Sequence, residues 1–199
     1  MHIDLFGPSR TLSLGGKSYV YVIVDDFSRY TWVLFLSQKN ETFYEFSRFC
    51  NKVQNGKGFA STCIRSDYGR EFENVDFENY CNEHEIDHNF LAPRIHQQNG
   101  VVERKNRTIQ EMEMTILNEN NLTKYFWVEM VNTSCYVLNR VLLRPILKKT
   151  PYEFWKNKKP KINYFKVIGC KCFILNTKNN LEKFDAKSNV EFFSLVTQL

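Results

Sequence analysis

The sequence predicts an α/β fold in which a mixed five-stranded sheet is flanked by helices. Three observations carry this. The β-branched and aromatic runs "HIDLF", "YVYVIV" and "YTWVLFL" follow one another closely, as adjacent antiparallel strands do. Two later short runs, "STCIRSD" and "IDHNFL", are each reached through a stretch of helical periodicity, the pattern of crossover connections. Two long amphipathic stretches then begin at Gly100 and Thr123. A chain of 199 residues has room for one good core and a small appendage.

The elements justify themselves in order. "HIDLF" ends at the Gly7-Pro8 breaker, and "TLSLGGKS" turns the chain through Gly15-Gly16 into the second strand. Only Ser28 and Arg29 separate Phe27 from Tyr30, which predicts a tight hairpin to the third strand. Asn40 or Thr42 caps a helix to about Val53, with Phe43, Phe46, Phe49 and Cys50 on one face and Gly56 and Gly58 ending it. The fourth strand spans Ser61 to Asp67, a helix Phe72 to Glu83, and the fifth strand ends before Ala92-Pro93. Asn99 then caps a helix from Gly100 to about Asn118 with the stripe Val102, Ile109, Met112 and Ile116. A second long helix covers Thr123 to about Leu142, and "TPYEFWKNKKP" starts a short one with a Thr cap and Pro at its first position. "YFKVIGCKCFIL" predicts a last strand with a Gly-marked bend. The order β-β-β-α-β-α-β-α-α is that of the ribonuclease H-like arrangement.

Composition excludes several classes. No stretch approaches the 18 or more uncharged apolar residues of a membrane span. The first residues lack the basic and apolar regions of a secretory signal, so the expectation is a protein that is not secreted and has reduced cysteines. Cys81, His84 and His88 form the best metal-like cluster among Cys and His, one ligand short of a zinc site; the alternative is a helix end followed by a strand. From Arg140 to Lys171 there are ten Lys or Arg against Glu153 alone, so this segment is +9 and the remainder −4 of a total of +5. That asymmetry fits an anionic partner, or else a solvated tail.

Three acids stand at telling places: Asp4 in the first strand, Asp67 at the end of the fourth, and Glu103 in the first turn of a helix. Crowded carboxylates raise one another's pKa unless divalent cations intervene. Two such ions against three carboxylates leave a net positive charge that welcomes a phosphodiester, and oxygen-only ligands favour Mg²⁺ or Mn²⁺. Asp25 and Asp26 also end a strand and compete as ligands, although "DDFSR" equally suits a turn.

"HIDLFGP", "VDDFSRYTWV", "RSDYGREF" and "HQQNGVVERKNRT" together resemble the integrase catalytic core of copia-type retrotransposons. The 35 residues between Asp67 and Glu103 match the D,D-35-E spacing of that family. "TPYEFWKNKKPKINYFKVIGCKCF" and "KFDAKS" resemble the segment that follows the core in its polyproteins. The resemblance implies a core at 1–160 and a short basic C-terminal extension at 161–199, a piece of the post-core region that diverges after about 188. It implies that Asp4, Asp67 and Glu103 bind two Mg²⁺ (or Mn²⁺) and catalyse trimming of a DNA 3′ end and its transfer to target DNA. DNA is then the partner, a homo-oligomer is possible, and integration takes place in the nucleus, with the protein otherwise cytoplasmic. Asn99 and Gly100 open the helix with backbone N–H groups free for a phosphate. Arg107, four residues beyond Glu103, shares its face and is placed to contact DNA. Arg104 and Lys105 lie off that face, on DNA or in solvent. Tyr68 and Arg70 depart from the family's RSDNGGEF, and Arg94-Ile95-His96 from its usual Thr-Pro, both beside the expected metals. The family's upstream His/Cys region and its reverse transcriptase and ribonuclease H regions are missing, so the chain reads as a fragment. A catalytically inactive nucleic-acid-binding relic and a ribonuclease H-type nuclease are the competing readings.

Overall fold

The computed structural model describes residues 1–58, 62–67, 69–90, 100–145 and 147–163, with two further strands at 171–175 and 188–192. The main sheet holds β1 (His2–Phe6), β2 (Tyr19–Val24), β3 (Thr31–Leu36), β4 (Cys63–Ser66) and β5 (Asp87–Phe90), in the order β3-β2-β1-β4-β5. The first three strands pair antiparallel; β4 and β5 continue parallel to β1. β1 is therefore the central strand, where the mixed-sheet reading needs it.

The sequence of β2 shows why the sheet is covered twice. Tyr21 and Ile23 face one way, and Val20, Val22 and Val24 the other, since side chains alternate along a strand. All are buried. The first set packs with α1 (Thr42–Lys57) and α2 (Val75–Glu83) through Phe46, Phe49, Phe77 and Tyr80. The second packs with α3 (Gly100–Glu119) and α4 (Trp127–Val141) through Val102, Ile109, Met130 and Leu138. The short α5 (Pro151–Lys156) starts at a capping box, with Thr150 and Glu153 each accepting from the other's backbone N–H.

Several boundaries differ from the sequence expectations. The β2–β3 connection is longer than two residues, because Asp25 Oδ2 takes both the N–H and the hydroxyl of Ser28 and closes a turn from Asp25 to Tyr30. α1 runs past Gly56, whose missing side chain faces open space, and stops at Gly58 in the left-handed conformation. α2 begins at Val75, because Asn74 caps it and Phe72 is spent in the core against Tyr21 and Phe77. The expected last strand is seen at β6 (Lys171–Leu175), paired antiparallel with β7 (Ser188–Phe192), which the sequence did not announce. The remainder of the 161–199 extension beyond residue 163 lies outside the described residues.

Candidate active site

The register of the sheet brings the first two acids level. His2 of β1 pairs with Arg65 of β4 in parallel. Two residues further along stand Asp4, on β1, and Asp67, immediately past the end of β4, the two strands being neighbours spaced about 4.8 Å apart. On β1, Asp4 alternates with Ile3, which faces α1 and α2, so Asp4 faces α3. There Asn106 Nδ2 donates to Asp4 Oδ2 at 2.5 Å, and the Leu5 N–H donates to Asp4 Oδ1 at 2.9 Å.

Electrostatics brings in the third acid. Burial, then the charge of Asp67, raise the Asp4 carboxyl to about 6; the Leu5 N–H opposes this, and Glu103 and Glu71 add to it. Glu103 itself sits exposed in the first turn of α3, as expected. The Asp67 carboxyl is also raised, first by burial; the Gly69 N–H lowers it, Glu71 raises it and Lys39 lowers it. Among the described residues, no three His, Cys, Asp or Glu side chains stand close enough to hold a metal ion between them. Asp4 and Asp67 are brought together, with Glu103 and Glu71 in electrostatic reach of Asp4. The donors are all carboxylate oxygens, which fits a hard divalent cation such as Mg²⁺ or Mn²⁺ and not a thiolate-seeking one.

Two residues of this neighbourhood escaped the sequence reading. Asn106 is 6% exposed and its Oδ1 has no partner. Its signal was a polar residue inside an apolar helical stripe, four after Val102 and three before Ile109. Glu71 pairs with Lys39 at 3.2 Å across the mouth of the site. Its Cδ lies so near Gly69 that a Cβ there would meet it at 2.8 Å, so a side chain at that position would displace the Glu71 carboxylate.

The other expectations divide. Asn99, like Tyr68 and residues 94–96, lies outside the described residues; α3 does begin at Gly100. Arg104 is exposed, and its guanidinium curls back toward Gly100. Arg107 is exposed on the flank of α3 that faces Phe6 and the Gly7-Pro8 loop. Lys105 is not a solvated side chain: it is half-buried, and burial lowers its pKa, with Cys135 acting to raise it and Arg29 to lower it. Asp26 is withdrawn from the site. Its Oδ1 meets His2 Nε2 at 3.0 Å and Arg29 Nη1 at 2.5 Å, and its Oδ2 meets Arg65 at 3.3 Å. Burial pushes its carboxyl up, but hydrogen bonds and charge from His2 and Arg29 outweigh this and hold it at about 2. The Cys81, His84 and His88 cluster dissolves: His84 Nδ1 turns to the Tyr80 carbonyl and His88 Nε2 to the Ser66 hydroxyl. No described helix is long and apolar enough to cross a membrane.

Comparison with known proteins bears on the family and the fold. Residues 1–95 match the family model of the integrase core domain. The chain is 38% identical over 188 residues to the retrovirus-related Pol polyprotein from transposon TNT 1-94 of Nicotiana tabacum, covering 94% of this chain and 14% of that one. It is 33% identical over 181 residues to the corresponding polyprotein from transposon RE2 of Arabidopsis thaliana, covering 90% of this chain and 12% of that one. The chain thus spans about one-seventh or less of the length of these relatives. Among solved structures, the integrase catalytic core domain of HTLV-2 in complex with magnesium, in a trimeric form, superposes with a TM-score of 0.56 at 22% identity, covering 76% of this chain and 92% of that one. The fold is accordingly the ribonuclease H-like fold of integrase catalytic cores, as the element order indicated.

Proposed function

From a chain that carries an integrase core domain and whose relatives are retrotransposon Pol polyproteins of copia type, we propose a polynucleotidyl transferase core that binds DNA, trims its 3′ end and joins that end to target DNA. The observation that supports it most is the meeting of Asp4 on β1 with Asp67 at the end of the adjacent parallel β4, with Glu103 near enough to raise the Asp4 carboxyl. Asp4, Asp67 and Glu103 would hold two Mg²⁺ or Mn²⁺. Divalent ions bound there supply Lewis acidity, which activates an attacking oxygen and offsets charge on a leaving one.

The chain's own residues do the rest. Asn106 fixes one oxygen of Asp4 from the α3 side, leaving the Leu5 N–H to hold the other, so the carboxylate cannot rotate away. The loop after β4 folds Glu71 against Gly69 and ties it to Lys39, which sets the wall beside Asp67. The start of α3 offers the positive end of its dipole to a phosphate. Arg107 adds an exposed cation one turn further on, and the basic stretch from Arg140 holds the DNA without reading its bases. The integration step places the protein in the nucleus, and the dimeric, trimeric and intasome forms of structural relatives support a homo-oligomer on DNA.

The test is a strand-transfer assay on a double-stranded oligonucleotide in Mn²⁺, run beside cleavage of an RNA–DNA hybrid. Joined products that vanish in Asp67→Asn are expected. Hybrid cleavage without joining would show a ribonuclease H-type nuclease instead, and DNA binding with neither reaction an inactive relic.

A further inference from the structure

His88 has a partner that leads to the carboxylates. Its Nε2 lies 2.8 Å from the Ser66 hydroxyl, and Ser66 immediately precedes Asp67. The register of the sheet explains the meeting. β4 and β5 run parallel, with Ile64 level with His88 and Ser66 level with Phe90. The side chains of Ile64, Ser66, His88 and Phe90 therefore share one face of the sheet. Ile64 and Phe90 pack there in the core that α1 and α2 cover. Asp4 faces α3, so His88 stands on the far side of the sheet from it.

The imidazole is held on both sides. Its centroid is 5.1 Å from that of Phe77 and 4.1 Å from that of Phe90. Phe77 and Ser66 are fully buried. The Ser66 hydroxyl donates to the Asp67 backbone carbonyl at 3.0 Å. A hydroxyl has one hydrogen to give. With that hydrogen spent on Asp67, the contact with His88 takes its hydrogen from Nε2. The bonds then run in one direction, from His88 Nε2–H to Ser66 Oγ–H to the Asp67 carbonyl, and each polarises the next. They act where strand pairing runs out, since the last β4–β5 pair is Ser66 with Phe90, one residue before Asp67. On the side-chain end of Asp67, the Gly69 N–H reaches Oδ1 only at 3.3 Å.

We propose that His88 is a positioning residue for Asp67: acting through the Ser66 hydroxyl, it fixes the Asp67 carbonyl and so aims the carboxylate at the divalent ions. This rests on the integrase reading above and adds to it a residue from the opposite face of the sheet. Hydrogen-bonding groups that orient a metal ligand are worth about 10–100-fold in metal affinity. An action through the ligand's backbone belongs at the lower end of that range.

The experiment is a calorimetric titration of Mn²⁺ into the parent, His88→Gln, His88→Met, Ser66→Ala and the Ser66→Ala/His88→Met double variant, with thermal unfolding of each in EDTA. Glutamine offers an N–H donor at about the reach of imidazole Nε2; methionine has the same length, fits between two aromatic rings and donates nothing. The glutamine variant is expected to bind Mn²⁺ within about twofold of the parent and the methionine variant about tenfold more weakly. The metal-free unfolding midpoint of the methionine variant is expected to be no lower than that of the glutamine variant, so the loss does not follow stability. Ser66→Ala is expected to lose as much affinity, and the double variant no more than either single one, because both act through one chain of bonds. A methionine variant that binds Mn²⁺ as well as the glutamine variant overturns the proposal and leaves the carboxylate site standing. So do losses that add in the double variant. A parent that binds no Mn²⁺ overturns both the proposal and the metal site it serves.

Discussion

Asp4→Asn should stabilise the metal-free protein at neutral pH and change little in acid. Asp4 is half-buried on the central strand; burial first, then Asp67, raises its carboxyl from 3.8 to about 6. A carboxyl with a higher pKa in the folded chain than in the unfolded one is easier to protonate when folded. Its ionisation therefore subtracts nothing below about pH 4, subtracts progressively between about pH 4 and pH 6, and subtracts in full above that. The gap of about two units corresponds to about 3 kcal/mol at most, at roughly 1.4 kcal/mol per unit, and water reaching this partly open site lowers that to about 2 kcal/mol. Asparagine keeps the shape and stands in for the protonated acid: its carbonyl accepts from Asn106 Nδ2, while its amide, like a carboxyl O–H, gives up the bond from the Leu5 N–H. At about 2–4 °C per kcal/mol for a chain of this size, the expected gain in Tm is about 4–8 °C at pH 7.5 and close to zero at pH 4. Thermal and urea unfolding of both proteins in EDTA measure it. A gain of equal size at pH 4 and pH 7.5, or a loss at pH 7.5, would refute the electrostatic origin.

Asn106→Leu removes a buried donor from Asp4 and should cost about 1–3 kcal/mol at pH 7.5, with the loss shrinking as Asp4 is protonated; a loss independent of pH would mean packing alone. Asp26→Asn breaks the contacts to His2, Arg29 and Arg65; it should cost under about 1 kcal/mol at this exposed cluster and leave Mn²⁺ affinity as in the parent, so a weakened Mn²⁺ isotherm would put Asp26 back in the site. If about five cations of the Arg140–Lys171 segment engage phosphates, log K for duplex DNA should fall against log salt with a slope of roughly −4 to −5; an affinity indifferent to salt would contradict this.

Much of this fold was legible because β2 and its neighbours alternate so plainly, and because crossover strands need intervening helices. Asp4 and Asp67 were legible as strand-borne acids, and their meeting follows from a register that hydrophobic alternation already constrained. What escaped was set by tertiary contacts. Asn106 reads as a flaw in an apolar stripe until Asp4 is seen opposite it. Glu71 and Lys39 are 32 residues apart and pair only because the loop after β4 and the start of α1 share one end of the sheet. Lys105 looked like surface from its spacing, yet α3 packs along α4 and half-buries it. Phe72 had helical company in the sequence and was claimed by the core instead.

The most direct measurement of the central claim is a calorimetric titration of Mn²⁺ into the parent, Asp67→Asn and Glu103→Gln proteins at pH 7.5, with each confirmed folded by its unfolding transition. If the three carboxylates share the ions, the parent shows saturable binding and a stability gain of about 2.7 kcal/mol at roughly 100 times the dissociation constant, and both variants lose most of it. Binding that is present and equal in all three proteins would contradict the account.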